Sequence, residues 1–259
     1  MAKDLVFGYI SVKSIIESKS RDIYEIILDE ERYQKVQSSN YHANEKRQYA
    51  ALERGATPIT KVSAEAFQNL NPSSTAGGIA AAVGERRYQT LEQVVENKNQ
   101  YYTILDGIED PYNFGNAIRS LYAAGVDVLI IPERDYYEAT DIIVRASAGA
   151  SELITTCMSK DIESDCKLLK EHHVSLYATA KTDNARDVRR VRVQNPLCVI
   201  YGGEKRGISS SILSLCDQVI KIKYPRDCHY SLPAVNAVSI LSFEIGYKIK
   251  SETGTKKHS

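Results

Sequence analysis

An excess of charge of either sign is missing from this sequence. Thirty-three Lys and Arg residues balance 33 Asp and Glu over 259 positions. That balance excludes a protein that grips nucleic acid through a bulk basic coat. It also holds locally, because residues 1–98 carry 13 basic and 13 acidic side chains. Any electropositive site is therefore a local patch. Also lacking is a paired cysteine framework. Cys157, Cys166, Cys198, Cys216 and Cys228 are odd in number and include no C-x-x-C, which argues against disulfide scaffolds and zinc ribbons. Buried thiols in a reducing compartment are expected instead. No apolar run approaches the roughly 18 residues of a membrane span. Met1 to Gly8 hold no apolar stretch of a signal peptide. A cytoplasmic protein with no membrane contact and no metal site is expected. Internal repeats and low-complexity tracts are absent too, and 43% hydrophobic with 25% charged residues excludes gross disorder.

What is present is an alternation of strand and helix patterns. Val12, Ile15 and Ile16 form a short helical apolar stripe, and residues 23–28 read as a strand. A polar helix over 41–54 stops near Gly55. A strand over 58–62 leads to a helix ending at Leu70, with Ser63 as its N-cap. Another strand ends at Val83. This is a small α/β unit of roughly ninety residues, followed by a polar connector containing a helix. A more regular series comes next. Strands are predicted over 101–108, 126–131, 175–180, 197–201 and 219–224. Helices are predicted over 114–124, 141–148, 161–172 and 208–216, with a last one from Leu232 to Lys250. Such alternation implies a mostly parallel sheet covered on both faces. Ligands of such sheets bind beyond the carboxyl ends of the strands. Loops 109–113, 181–196, 202–207 and 225–231 are thus the places for a site. The expected division is a first domain over 1–95 and a second over 96–259.

Three of these loops carry patterned residues. Asp110-Pro111-Tyr112-Asn113-Phe114-Gly115-Asn116-Ala117-Ile118-Arg119 joins a strand to a helix, with Asn113 at the expected N-cap and Arg119 inside the helix. A lone arginine there suits a phosphate or carboxylate, although a cap and a solvated arginine explain the same residues. Gly202-Gly203-Glu204-Lys205-Arg206-Gly207-Ile208-Ser209 lets backbone approach a ligand, or is an ordinary glycine-rich turn. Its spacing is not that of a dinucleotide fingerprint. Ser231-Leu232-Pro233-Ala234-Val235-Asn236-Ala237-Val238 opens the last helix, where proline suits the first turn and Ser231 is a possible cap.

Singly these signals are weak; in this order and spacing they resemble the three motifs of the SpoU/TrmH family of α/β-knot (SPOUT) methyltransferases, over most of 101–250. Arg145 to Ala150 also resembles a stretch common in that family. Residues 1–95 are similar, less specifically, to the L30e-like RNA-binding domain of its RlmB-like members. The resemblance implies an α/β fold with a C-terminal parallel-sheet, trefoil-knotted domain, and a homodimer formed through that domain. It further implies S-adenosylmethionine as cofactor and methyl transfer to a ribose 2′-hydroxyl of structured RNA, with rRNA favoured over tRNA. Carried over, the cofactor positions are Thr179, Gly202, Glu204, Ile222 and Leu232. The catalytic group is Arg119, Asn113, Ser231 and Asn236.

Arginine is effectively always protonated. Arg119 is therefore expected to hold a phosphate and stabilise oxyanion charge, not to act as the base. Two positions depart from the family pattern: Lys205 replaces a glycine, and Pro233 stands where an asparagine is usual. Asn236, one helical turn on, and His229, whose pKa range suits base work, are the residues available in its stead. Arg186, Arg189, Arg190 and Arg226 are the expected RNA contacts, beside Arg192, Lys205 and Arg206; a merely solvated face is the alternative. Two other functions fit less of the sequence. A catalytically impaired RNA-binding relative would account for Pro233. A nucleotide enzyme using Gly202–Gly207 as a phosphate loop would leave the other two motifs unexplained.

Overall fold

The computed structural model describes residues 4–38, 42–70, 76–97, 101–133, 139–203 and 207–255, with side chains to 251. The chain forms two compact units. One comprises Met1–Arg87 with Tyr136–Leu153, the other Tyr88–Asp135 with Ile154–Ser259.

In the first unit, strands β1 (Asp4–Phe7), β2 (Ile23–Asp29), β3 (Ile59–Val62) and β4 (Ile79–Val83) form one sheet in the order β1-β4-β2-β3. β4 is antiparallel to both its neighbours, and β3 adds parallel to β2. A strand paired on both edges and covered on its faces must be apolar throughout, and Ile79, Ala80, Ala81, Ala82 and Val83 are all buried. Helix α1 (Tyr9–Ser18) sends Val12 and Ile15 into the core, whereas Ile16 lies 43% exposed, off the expected stripe. α2 (Glu30–Gln37) was not legible as a helix: only Val36 of it is buried, so no apolar period marks it, and the Asp29 carboxylate caps it by accepting the Arg32 N–H. α3 (Ala43–Glu53) and α4 (Ala64–Leu70) match the expected helices, and the Ser63 hydroxyl accepts the Ala66 N–H as its cap role requires.

Two helices from later in the chain complete this unit, α7 (Thr140–Ala146) and α8 (Ala150–Leu153). Asp141 accepts the Phe7 N–H at 3.1 Å, and Thr140 donates to Asp4 at 3.0 Å. Val144 joins the core of Val6, Val12 and Ile15. Gly149 touches α1 so closely that a Cβ there would lie 2.0 Å from the Ser14 hydroxyl. Arg21 and Glu152 form a buried ion pair at 3.2 Å, to which the Ser20 hydroxyl donates as well. Arg21 also donates to the Gly84 carbonyl. The Arg145 to Ala150 stretch is thus part of the first unit.

The second unit holds a parallel sheet, as the alternating pattern predicts, with seven strands where five are expected. Its strands are β5 (Tyr101–Leu105), β6 (Val128–Pro132), β7 (Thr155–Ser159), β8 (Ser175–Thr179), β9 (Arg186–Asp187), β10 (Leu197–Tyr201) and β11 (Gln218–Lys221). They run in the order β7-β6-β5-β10-β8-β11-β9, every pair parallel. All residues of the central β5 and β10 are buried. The short helix α5 (Leu91–Val95) starts with a capping box of Thr90 and Gln93. Helices α6 (Pro111–Ala123), α9 (Ile162–Glu171), α10 (Ser210–Leu215) and α11 (Ala234–Thr255) complete the unit. From β5 the sheet grows by β6 on one side and by β10 on the other. Their carboxyl ends therefore mark the point where the strand order reverses, the usual place for a ligand in open parallel sheets.

Candidate functional site

β8 and β11 lie side by side with Ile220 level with Thr179, and the Ala180 N–H donates to the Ile220 carbonyl. Just beyond, the chain leaves β11 earlier than the sequence pattern predicts. Residues 222–233 run without regular structure to the start of α11. This path borders an open cavity of about 480 Å³, a size suited to a small-molecule cofactor. Ile220, Ile222, Leu232, Ala237 and Leu241 give it apolar walls, and Thr179 and Ser231 contribute hydroxyls. The Thr179 hydroxyl donates to the Ile200 carbonyl at 3.0 Å, which leaves its lone pairs to accept. Lys181, Lys221, Lys223 and Arg226 line it as well, with Asp227 the acid among the lining residues. Tyr224 forms part of the wall, and its hydroxyl oxygen accepts the Leu232 N–H at 3.0 Å.

The start of α11 follows from Pro233. Its carbonyl accepts the Asn236 and Ala237 N–H groups, so the helix cap falls on Pro233 and not on Ser231. Proline lacks a donor that would go unpaired at this position, and it holds the preceding Leu232 out of the helical region.

Beyond the carboxyl ends of β5 and β10, backbone meets backbone. Gly107 has φ +90°, and a Cβ there would fall 2.2 Å from the Gly203 Cα. A Cβ on Gly202 would fall 2.6 Å from the Gly207 carbonyl carbon, because the loop closes on itself through Gly207 N–H to Gly203 carbonyl at 2.9 Å. These glycines are required for close approach. Glu204, Lys205 and Arg206 lie outside the described residues.

Helix α6 is capped by Asp110, whose carboxylate accepts the Asn113 N–H at 2.8 Å, with Pro111 in the first turn. Asn113 is therefore not the cap that the sequence pattern predicts: it is the third residue of the helix, within its first turn, and is exposed. The proline decides between the two, since it occupies the first helical position and Asp110 precedes it. Arg119 is also exposed on α6. The helix packs on α11, where the Ser120 and Ser239 hydroxyls are 2.8 Å apart and Gly246 meets the Ala124 carbonyl.

Of the residues singled out in the sequence, the cavity gathers Thr179, Ile222, Arg226, Ser231 and Leu232. Gly202, Asn113, Arg119, Asn236 and His229 are not among its lining residues. Arg186, Arg189 and Arg190 are exposed on β9 and the turn after it. Arg189 donates to the Lys223 carbonyl at 2.9 Å, which ties that turn to the cavity wall. Lys181, Lys223, Tyr224 and Cys228 line the cavity without being among the candidate site residues; Tyr224 and Cys228 belong to the segment that leads into the third motif, and Lys181 opens the loop 181–196. No cluster able to hold a metal exists among the described residues, and no helix there is long and apolar enough to cross a membrane.

The profile of the SpoU rRNA Methylase family matches residues 100–243. A Staphylococcus haemolyticus protein assigned to the TrmH family of tRNA/rRNA methyltransferases is 33% identical over 183 residues, covering 68% of this chain and 72% of its own. Among solved structures, the SpoU methyltransferase AviRb from Streptomyces viridochromogenes aligns with a TM-score of 0.75 at 19% identity, over 96% of this chain and 91% of its own. The same enzyme in complex with AdoMet gives a TM-score of 0.75 at 20% identity, with the same coverage. An rRNA methyltransferase from Sinorhizobium meliloti gives 0.70 at 18% identity, over 94% of this chain and 86% of its own. At such identities the structural likeness speaks for the fold alone.

Proposed function

Because the chain belongs to the SpoU rRNA methylase family, we propose that it methylates a ribose 2′-hydroxyl of structured RNA from S-adenosylmethionine, with rRNA ahead of tRNA as substrate. The observation that carries this reading is the cavity at the ends of β8 and β11, where Thr179, Ile222, Ser231 and Leu232 converge. Its chemistry fits the cofactor. Ile222 and Leu232 offer apolar surface to a purine, and Thr179 and Ser231 offer hydroxyls to a ribose or an amino acid tail. Gly202 and Glu204 belong to the same assignment on the neighbouring loop. When bound, S-adenosylmethionine supplies a methyl group already activated by a positively charged sulfur.

The chain's own residues then have to position the target hydroxyl and handle its proton. Arg119 holds the phosphate beside the target ribose and stabilises charge growing on the 2′-oxygen. Asn113 and Asn236 are hydrogen-bonding groups for the same nucleotide, and His229 is the group suited to take the proton. Arg186, Arg189, Arg190 and Arg226 contact RNA phosphates. The first unit is assigned as an L30e-like RNA-binding domain of an RlmB-like enzyme, and the protein is placed in the cytoplasm. The second unit carries the trefoil knot of the family and pairs into a homodimer. Exposed Tyr112 and Tyr122 on α6, with Ile240, Phe243 and Tyr247 on α11, offer the apolar face for that pairing.

A second reading, a relative that binds RNA without transferring methyl groups, is favoured by one observation. Pro233 replaces the motif asparagine, and Asn236 is not among the residues lining the cavity. Comparing ribose-methylation maps of total RNA with and without the gene separates the two. A lost site names the substrate. Unchanged maps, together with RNA binding by the purified protein, would establish the second reading.

A further inference from the structure

Tyr224 does two things in the cavity: it lines the wall, and its hydroxyl accepts the Leu232 N–H across 8 positions of sequence. We propose that Tyr224 is a positioning residue that ties residues 225–231 into a closed strap and fixes Leu232 for the cofactor before any ligand arrives. This rests on the reading of the cavity as the S-adenosylmethionine site.

The strap has no helix or strand to hold its shape. It nevertheless supplies Arg226, Asp227, Cys228 and Ser231 to the cavity lining. A loop without regular structure loses conformational freedom when it closes on a ligand, and that loss weakens binding unless the loop is ordered beforehand. Leu232 is ordered from both sides. On one side Pro233 excludes the helical conformation for Leu232 and starts α11 through its own carbonyl. On the other the Tyr224 hydroxyl takes up the Leu232 N–H, which sits in a partly buried place and would otherwise need another acceptor. The ring also has a neighbour in the cavity lining, since the Lys181 ammonium lies 5.7 Å from its centroid, within the range of cation–π attraction. Tyr224 thereby links the loop after β8 to the loop before α11. Tyr224→Phe keeps the ring and the lysine contact and removes the hydroxyl alone.

The test uses the full chain. S-adenosylmethionine binding is measured by calorimetry for wild type and Tyr224→Phe, and amide exchange over 226–232 is followed in both without ligand. The KM for cofactor is compared with kcat, using ribosomal RNA from a strain lacking the gene. Loss of one neutral hydrogen bond predicts an affinity about five- to tenfold weaker, with faster exchange at Leu232. The defect appears in KM and is recovered at saturating cofactor. A Tyr224→Phe protein that binds within twofold of wild type overturns the proposal. So does a ligand-free wild type whose Leu232 amide exchanges at the rate of an unstructured peptide, a result that needs no variant to fold. Wild type that binds no S-adenosylmethionine overturns the proposed function itself and takes this role with it. Wild type that binds while Tyr224→Phe is unaffected overturns only the strap.

Discussion

A thiol reacts as its thiolate, so burial decides which of the five cysteines can be modified. Burial pushes the Cys157 and Cys166 thiols up to about 12 and Cys216 up to about 11. Cys198, wholly enclosed in β10, is pushed up as well. Their thiolate fractions grow only as the pH nears those values, so they stay unreactive at pH 8. Cys228 is partly exposed and lines the cavity. Iodoacetamide at pH 8 is expected to label Cys228 first, and S-adenosylmethionine is expected to slow that labelling. Mass spectrometry of the peptides checks both, and equal labelling of Cys166 would contradict the burial. Arg119 is a second test at this scale. Lysine keeps its charge but loses the planar fork that holds a phosphate in two places. Arg119→Lys is expected to lower turnover about tenfold or more, equivalent to ~1.4 kcal/mol or more. Near-normal turnover with unchanged RNA affinity would remove the proposed role.

At the scale of elements, the packing of α11 against the end of α6 leaves no room for a side chain at Gly246. A Cβ on Gly246 would lie 2.1 Å from the Ala124 carbonyl oxygen, a backbone atom that cannot rotate away. Gly246→Ala therefore forces the helices apart. The expected cost is about 2 kcal/mol, or roughly 4–8 °C of melting temperature for a chain of this size, read from a thermal melt; an unchanged midpoint would refute the contact. The same helices show what the sequence makes legible. β5, β8 and β10 are apolar runs between turn signals, and α11 is a long small-residue helix, so pattern alone finds them. β7 escapes because Thr155, Thr156 and Ser159 give it no apolar run, and β9 because it is 2 residues long. The loops that line the cavity were legible since they follow strands whose carboxyl ends border it. Lys181 and Tyr224 were not, because a hydroxyl meeting a backbone N–H across a loop leaves no periodic trace. The cap at Asp110 carried its signal in Pro111.

At the scale of the whole molecule, the chain order and the packing order differ. Residues 140–153 belong with the first unit through the Arg21–Glu152 pair, whose side chains are 7% and 1% exposed. Neutralising one member of a buried pair leaves the other charge uncompensated, at a cost of about 3–5 kcal/mol. Glu152→Gln is expected to lose amide-exchange protection in β1 and α1 while β5 and β10 keep theirs; equal loss in all four would deny that the units are separately stabilised. The neutral total charge has a consequence of the same reach. With 33 basic and 33 acidic residues, RNA meets no general attraction, so affinity must come from a few placed cations and from RNA shape. Each phosphate neutralised releases about 0.7–0.9 counterion. If Arg186, Arg189, Arg190 and Arg226 each meet one phosphate, the slope of log affinity against log salt is about −3 to −4. Arg190→Gln should flatten it by about one unit. A wild-type slope near −10 would mean that binding is spread over bulk charge, and a slope unmoved by Arg190→Gln would take that arginine out of the RNA contact.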